Sequence, residues 1–231
     1  MESLKEKEKR KLSTLPFNIV FGVFLLFCMI KCYTPRTALQ AEARKYQSHK
    51  KFEDTSFLYD LPYEANTCHR IIQGYFSRYT HKYKAALDFR MKKGTPVLAV
   101  RDGIVVRTKD DSNVGGWNKK YRGDANYIVI EHADSTRSSY RHLMYKGVLV
   151  KVGTQVSKGE KIGYSGNTGY TFSPHLHFMI TRYEKGQWVT VPCRFKTHAQ
   201  EGYLQPLKSH TSLNIKKDLS SPSRTEQIIA N

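Results

Sequence analysis

From Phe57 onward the chain is written in short apolar runs separated by turn-forming residues. Runs at residues 95–100, 103–107, 127–131, 138–143, 148–152, 161–164 and 175–181 are rich in Val, Ile, Tyr and Thr, with Gly, Pro, Asn, Asp or Ser between them. No segment there keeps a long 3.6-residue period, so the pattern predicts an all-β sandwich or barrel rather than a helical bundle. The stretch Val150-x-x-Gly153-x-x-Val156-x-x-Gly159-x-x-Ile162-Gly163 predicts tight turns linking short strands around a small core. Residues 109–124 carry loop-forming residues throughout and predict one long loop bordering a groove. Within it, Trp117 and Tyr121 either pack back on the domain or lie along a bound substrate.

The pattern changes at both ends. Lys5, Lys7, Lys9, Arg10 and Lys11 precede a largely apolar run from Leu15 to Ile30 that stops at Lys31. This is a charged segment followed by a membrane-targeting one, an uncleaved anchor helix or a signal peptide. No small-x-small site follows Ile30, and Cys28 and Cys32 lack the small preceding residue of a lipoprotein signal, which favours the anchor. Positive charge ahead of the segment keeps the N-terminus cytoplasmic and places the rest outside the inner membrane. The organisation expected is a basic segment plus anchor or signal peptide at 1–33 and a polar stalk at 34–56, with a short helix near 38–46. A single domain follows at 57–206, and a Ser-, Thr-, Lys- and Pro-containing flexible tail at 207–231.

A chain of 231 residues accommodates one well-buried domain plus these appendages. The net charge is +18. Residues 57–206 keep 23 Lys and Arg against 12 Asp and Glu, so the domain itself carries +11. Such a field favours a polyanionic partner: nucleic acid, anionic lipid or an acidic wall polymer. The plainer reading is a solvated, solubilising surface. Beyond the apolar segment lie Cys68 and Cys193, which either form a disulfide in an oxidising compartment or remain separate thiols. Neither has metal-site CxxC spacing.

The candidate chemistry centres on Ser173-Pro174-His175-Leu176-His177-Phe178. On a strand, side chains two apart share a face, so His175 and His177 can converge on one atom. Two histidines on a half-exposed face are also common without chemistry. Upstream lie His81, Asp88 and His142, and imidazole with carboxylate is the usual donor set for Zn²⁺, which in catalytic sites keeps one open position. His81 and Asp88 are seven apart, an odd separation that puts them on opposite faces of a continuous strand, so a turn through residues 82–85 must reorient the chain. His69 is the fallback for His81, and Asp88 could instead orient a histidine. His132 reads as a strand-end or supporting residue, and His49, His198 and His210 as surface side chains. Tyr140, two before His142, is expected on the same strand face, lining the groove or packing.

Four segments in order, Gly94-Thr95-Pro96-Val97-Leu98-Ala99-Val100-Arg101-Asp102-Gly103-Ile104-Val105, Tyr140-Arg141-His142-Leu143, Gly159-Glu160-Lys161-Ile162-Gly163-Tyr164-Ser165-Gly166-Asn167-Thr168-Gly169 and Pro174-His175-Leu176-His177-Phe178, resemble the lysostaphin-type (LytM-like) zinc endopeptidases of bacterial cell walls. The resemblance covers residues 61–181. It implies a compact, mostly antiparallel LytM-type β domain with one Zn²⁺ at the floor of a groove. It further implies His81, Asp88 and His177 as metal ligands, and His142 and His175 as the unligated catalytic pair. Holding two histidines back agrees with the chemistry, since a hydrolytic metal needs a free position. The implied activity is hydrolysis of peptide cross-links in peptidoglycan. The implied partners are peptidoglycan peptide stems and, through the N-terminal segment, the inner membrane. A non-catalytic wall-binding or regulatory protein is the alternative; nucleic acid is not expected, because no recognised motif accompanies the charge. The sequence sets neither the bond cleaved nor the oligomeric state.

Overall fold

The structure is a computed structural model that describes Ala41 and residues 57–213. In chain order the strands are β1 (Leu58–Asp60), β2 (Cys68–Gln73), β3 (Ala86–Arg90), β4 (Pro96–Leu98), β5 (Gly103–Lys109), β6 (Gly115–Gly116), β7 (Asn126–Glu131), β8 (Arg137–Val148), β9 (Gln155–Val156), β10 (Lys161–Ser165), β11 (Gly169–Tyr170), β12 (His175–Glu184), β13 (Gln187–Val191), β14 (Arg194–Lys196), β15 (Glu201–Gly202) and β16 (Ser209–Thr211). A short 3-10 helix at Lys119–Asp124 interrupts them, capped by the Asn118 side chain, which accepts from the Lys120 N–H. The domain is mostly β, as the short apolar runs predict.

The main sheet has the strand order β16-β2-β3-β12-β8-β7-β5-β9, with β13 on β12 and β10 bridging β4 and β8. Its pairings are antiparallel, and the parallel pairs among the described residues are β1 with β14 and β11 with β6. β12 is central to the site: His177 lies opposite Asp88 on β3 and opposite Arg141 on β8. The period of two then divides the strand. Leu176, Phe178 and Ile180 are buried in the core, while His175, His177 and Met179 line a groove. Phe178 meets Tyr140, Phe89 and Phe195 with ring centroids 5.3, 6.4 and 5.9 Å away. Fully burying an aromatic side chain contributes roughly 1.5–3 kcal/mol, so this cluster fixes the register that carries the histidines.

Several local expectations are corrected. Residues 148–152 form no separate strand. Val148 ends β8, and a turn follows in which Gly153, at φ +87°, donates its N–H to the Val105 carbonyl. The expected loop at 109–124 contains β6 and the 3-10 helix. Ordered chain continues past residue 206: β16 pairs with β2, and Leu207 donates its N–H to Ile71. His210, expected at the surface, is buried by that pairing. Tyr140 does not share the groove with His142, because His142 sits at φ 64° and this left-handed residue breaks the alternation. Tyr140 is fully buried, with its hydroxyl accepting from the Val100 N–H. Cys68 and Cys193 are both free thiols, the first exposed and the second buried beside the Tyr75 hydroxyl, so the disulfide alternative is not realised. The expected anchor at 1–33 lies outside the described residues. Among the described residues no helix is long and apolar enough to cross a membrane.

Candidate metal centre

Three elements deliver three donor atoms to one point. Asp88 comes from β3, His177 from the facing position on β12, and His81 from the chain just before a turn at Lys82 and Tyr83. The turn is closed by the Lys84 N–H donating to the His81 carbonyl at 2.9 Å. It supplies the reorientation that the odd spacing of His81 and Asp88 demands. Asp88 Oδ1 lies 2.7 Å from His177 Nδ1 and 3.2 Å from His81 Nε2, and those two nitrogens are 3.1 Å apart. All three residues are buried, and together they could hold a metal ion. Ligand bonds of about 2.0–2.1 Å in a tetrahedral site imply donor separations of about 3.3 Å, close to these edges.

The surrounding hydrogen bonds orient each donor. His81 Nδ1 lies 3.1 Å from the Gly74 carbonyl, which can only accept, so its proton sits on Nδ1 and the Nε2 lone pair faces Asp88 and His177. Gln73, opposite Asp88 on β2, donates from Nε2 to Asp88 Oδ2 at 2.8 Å and to Thr80 Oγ1 at 2.6 Å. Its Oε1 accepts from the Thr80 N–H at 3.3 Å. One amide thus holds the carboxylate and the chain leading into His81. Gln73 was not among the residues singled out from the sequence, where a lone glutamine carries no spacing signal.

Two further imidazoles stand beside this group. His142 Nδ1 is 2.7 Å from the Thr168 carbonyl, and His175 Nδ1 is 2.7 Å from the Ser173 carbonyl. Both therefore carry the Nδ1 proton and offer an Nε2 lone pair. The His142 and His175 rings are 4.7 Å apart, and His175 Nε2 lies 3.7 Å from Asp88 Oδ1. The loop behind His142 is held tightly. Thr168 Oγ1 donates to Leu143 and accepts from the Asn126 N–H, and Gly169, at φ +81°, packs so closely that a Cβ would lie 2.6 Å from Ala125 Cβ.

Electrostatics fit cation binding. Burial works to raise the Asp88 carboxyl, but the adjoining His177, and after it His81, outweigh that and hold it well below the carboxylate range. Burial, opposed by Asp88, brings His177 down to about 4. Burial, with the positive fields of His175 and His177, brings His142 down to about 3. A His177 imidazole kept neutral beside an ionised Asp88 is the ligand form a metal requires. His69 is not part of the group. Its Nδ1 meets the Arg90 carbonyl and its ring packs on Tyr63. His132 lies at the end of β7, bonded to the Asp102 carbonyl.

The donors sit at the floor of a groove of about 1120 Å³. Trp117 stacks on Tyr170 at 5.1 Å and meets Phe172 edge-on at 5.8 Å, forming an aromatic wall. Trp117 remains 59% exposed, so it borders the groove rather than packing into the core. Lys84, Lys119, Arg122 and Arg141 also line the groove, and Asp88 is the one carboxylate among its lining residues.

A mostly-β domain with a buried two-histidine, one-carboxylate group at the base of a groove has the makings of a metallopeptidase domain. Residues 82–190 match Peptidase family M23. The peptidoglycan DD-endopeptidase ShyA of Vibrio cholerae is 45% identical over 93 residues, 40% of this chain and 19% of that protein. The glycyl-glycine endopeptidase ALE-1 of Staphylococcus capitis is 41% identical over 92 residues, 40% of this chain and 23% of that protein. Among solved structures, the catalytic domain of lysostaphin from Staphylococcus simulans is 31% identical, covering 54% of this chain and 88% of that one, with a TM-score of 0.39. The matched segment thus spans about a fifth of the length of these curated relatives.

Proposed function

We propose that this chain is a zinc endopeptidase that hydrolyses peptide cross-links in bacterial peptidoglycan. The observation that carries the reading is the convergence of His81 Nε2, Asp88 Oδ1 and His177 Nδ1 within 3.2 Å of one another, with two unligated imidazoles beside them. The two relatives, both named endopeptidases, support the substrate class. Two imidazoles and a carboxylate favour Zn²⁺ over the oxygen-seeking Mg²⁺ and Ca²⁺.

When bound, zinc would polarise the scissile carbonyl and acidify a water. His81, Asp88 and His177 would hold it. His142 and His175 do the proton work: each is anchored at Nδ1 by a backbone carbonyl, so each presents Nε2 as a base to the attacking water or, once protonated, as an acid to the departing amine. Their burial beside the donor group limits competing solvent. Lys84, Arg122 and Arg141 surround the substrate path with positive charge suited to an acidic wall. The basic run and apolar segment at 1–33 support an inner-membrane anchor, with the catalytic domain on the outer side, in the periplasm or extracytoplasmic space.

The test is incubation of the zinc-loaded chain with purified sacculi, followed by mass analysis of the released muropeptides. Cleavage at peptide bonds, abolished by a chelator and by His177→Ala, is expected. Intact sacculi at full zinc occupancy would overturn the reading.

A further inference from the structure

We propose that Lys84, Arg122 and Arg141 form a carboxylate-binding subsite, so that the preferred substrate keeps a free carboxylate on a residue beside the amide being cut. This inference rests on the hydrolase reading and makes it specific.

Arg141 lies opposite His177 across the β8–β12 ladder and immediately precedes His142. The left-handed backbone at His142 lets Arg141 and His142 both line the groove, where strict alternation would have sent one of them into the core. The Arg141 guanidinium is positioned before any ligand arrives. It lies 5.2 Å from the centre of the Tyr127 ring, and its Nε donates to Ser139 Oγ at 3.3 Å. Lys84, from the turn that presents His81, and Arg122, from the 3-10 helix, line the same groove. Arg122 packs its guanidinium 5.6 Å from the Tyr170 ring centre. Burial, and after it the positive fields of Arg141 and Arg122, push the Lys84 ammonium down against the pull of Asp88, which places the three cations within one another's influence.

Elsewhere on the domain some cations are paired, Arg101 with Asp134, Arg137 with Glu131, Arg182 with Glu184 and Lys158 with Asp60, while exposed ones such as Lys151 face solvent. Among the described residues no carboxylate forms an ion pair with Lys84, Arg122 or Arg141. Asp88 cannot serve them, since Oδ1 is committed to His81 and His177 and Oδ2 to Gln73. Arg141 is partly buried, Lys84 and Arg122 are exposed at the groove, and the planar fork of Arg matches a carboxylate that would complete the set. A substrate with a free carboxylate next to the scissile bond supplies that anion. A neutral bridge, such as oligoglycine, leaves the cations unpaired and is disfavoured on that account.

The experiment uses the zinc-loaded full chain with one purified cross-linked muropeptide and the same muropeptide with its free carboxylates converted to amides. Cleavage is followed by chromatography and binding by calorimetry. The acid form should exceed the amide form in kcat/KM by roughly ten- to hundredfold, the equivalent of one charge-assisted contact. Arg141→Gln and Arg122→Gln should each bring that ratio towards one, while Lys151→Gln, an exposed cation outside the groove lining, should preserve it. Arg122 is exposed on its short helix, so its variant keeps the test sound should Arg141→Gln fail to fold. Equal kcat/KM for the two forms, or an unchanged ratio in the folded variants, overturns the subsite. If neither form is cut, the hydrolase reading falls, and the subsite is judged on dissociation constants alone: a tenfold preference for the acid form supports it and equal affinities overturn it.

Discussion

Gln73→Ala is the most discriminating perturbation of the metal centre, because it replaces none of the proposed ligands. The change removes the donor to Asp88 Oδ2 at 2.8 Å and frees Thr80, which Gln73 holds through both its donor and its acceptor. A hydrogen bond to a charged acceptor is worth about 1.5–3 kcal/mol, or roughly ten- to a hundredfold in an equilibrium constant. Partners that orient metal ligands show losses of about 10–100-fold in affinity, so the two routes agree. The expected result is a zinc dissociation constant weaker by about that factor, measured by competition with a chromophoric chelator at fixed pH. Thr80→Ala removes only one arm of the same amide and should cost less. A folded Gln73→Ala chain binding zinc within about twofold of wild type would refute the argument that Asp88 is a ligand poised by Gln73.

Three other outcomes follow from the same geometry. His142→Ala and His175→Ala should each lower kcat by about 10²–10⁴-fold while zinc content, read by mass spectrometry of the metal, stays at one per chain. The metal-free chain should lose stability on acidification. His142 is lowered to about 3 in the fold, so between pH 6.5 and that value the unfolded chain binds a proton that the native one does not. This stabilisation is complete above about pH 6.5 and declines by about 2 kcal/mol per such group between pH 7 and 5. Urea unfolding at the two pH values should show a smaller decline in His142→Gln. Gly169→Ala puts a Cβ 2.6 Å from Ala125 Cβ at a φ of +81°, and should lower the unfolding free energy by about 2–4 kcal/mol in a urea titration.

Much of the site's geometry was legible because it depends on period and spacing. The two-residue interval put His175 and His177 on one face, and the seven-residue interval between His81 and Asp88 required the turn now seen at Lys82 and Tyr83. Features set by pairing between distant strands were not legible. Gln73 acquires its role only because β2 lies beside β3 with Gln73 facing Asp88. His210 is buried only because β16 closes the sheet edge on β2. Tyr140 was placed on the wrong face because no residue type in Tyr140-Arg141-His142 announces a left-handed backbone, which glycine or asparagine would have flagged. The 3-10 helix is too short to leave a periodic trace.

The donor triangle also joins parts of the chain that are 89 and 96 residues apart. A cation held there would act as a reversible cross-link across most of the domain, where Cys68 and Cys193, the cysteines among the described residues, are both free. Ion uptake would consequently be coupled to completion of the fold: a chain whose β3 and β12 have not met has no place to hold it. Free metal at about a thousand times its dissociation constant would contribute about 4 kcal/mol to the native state, so chelation should soften the whole domain as well as silence it.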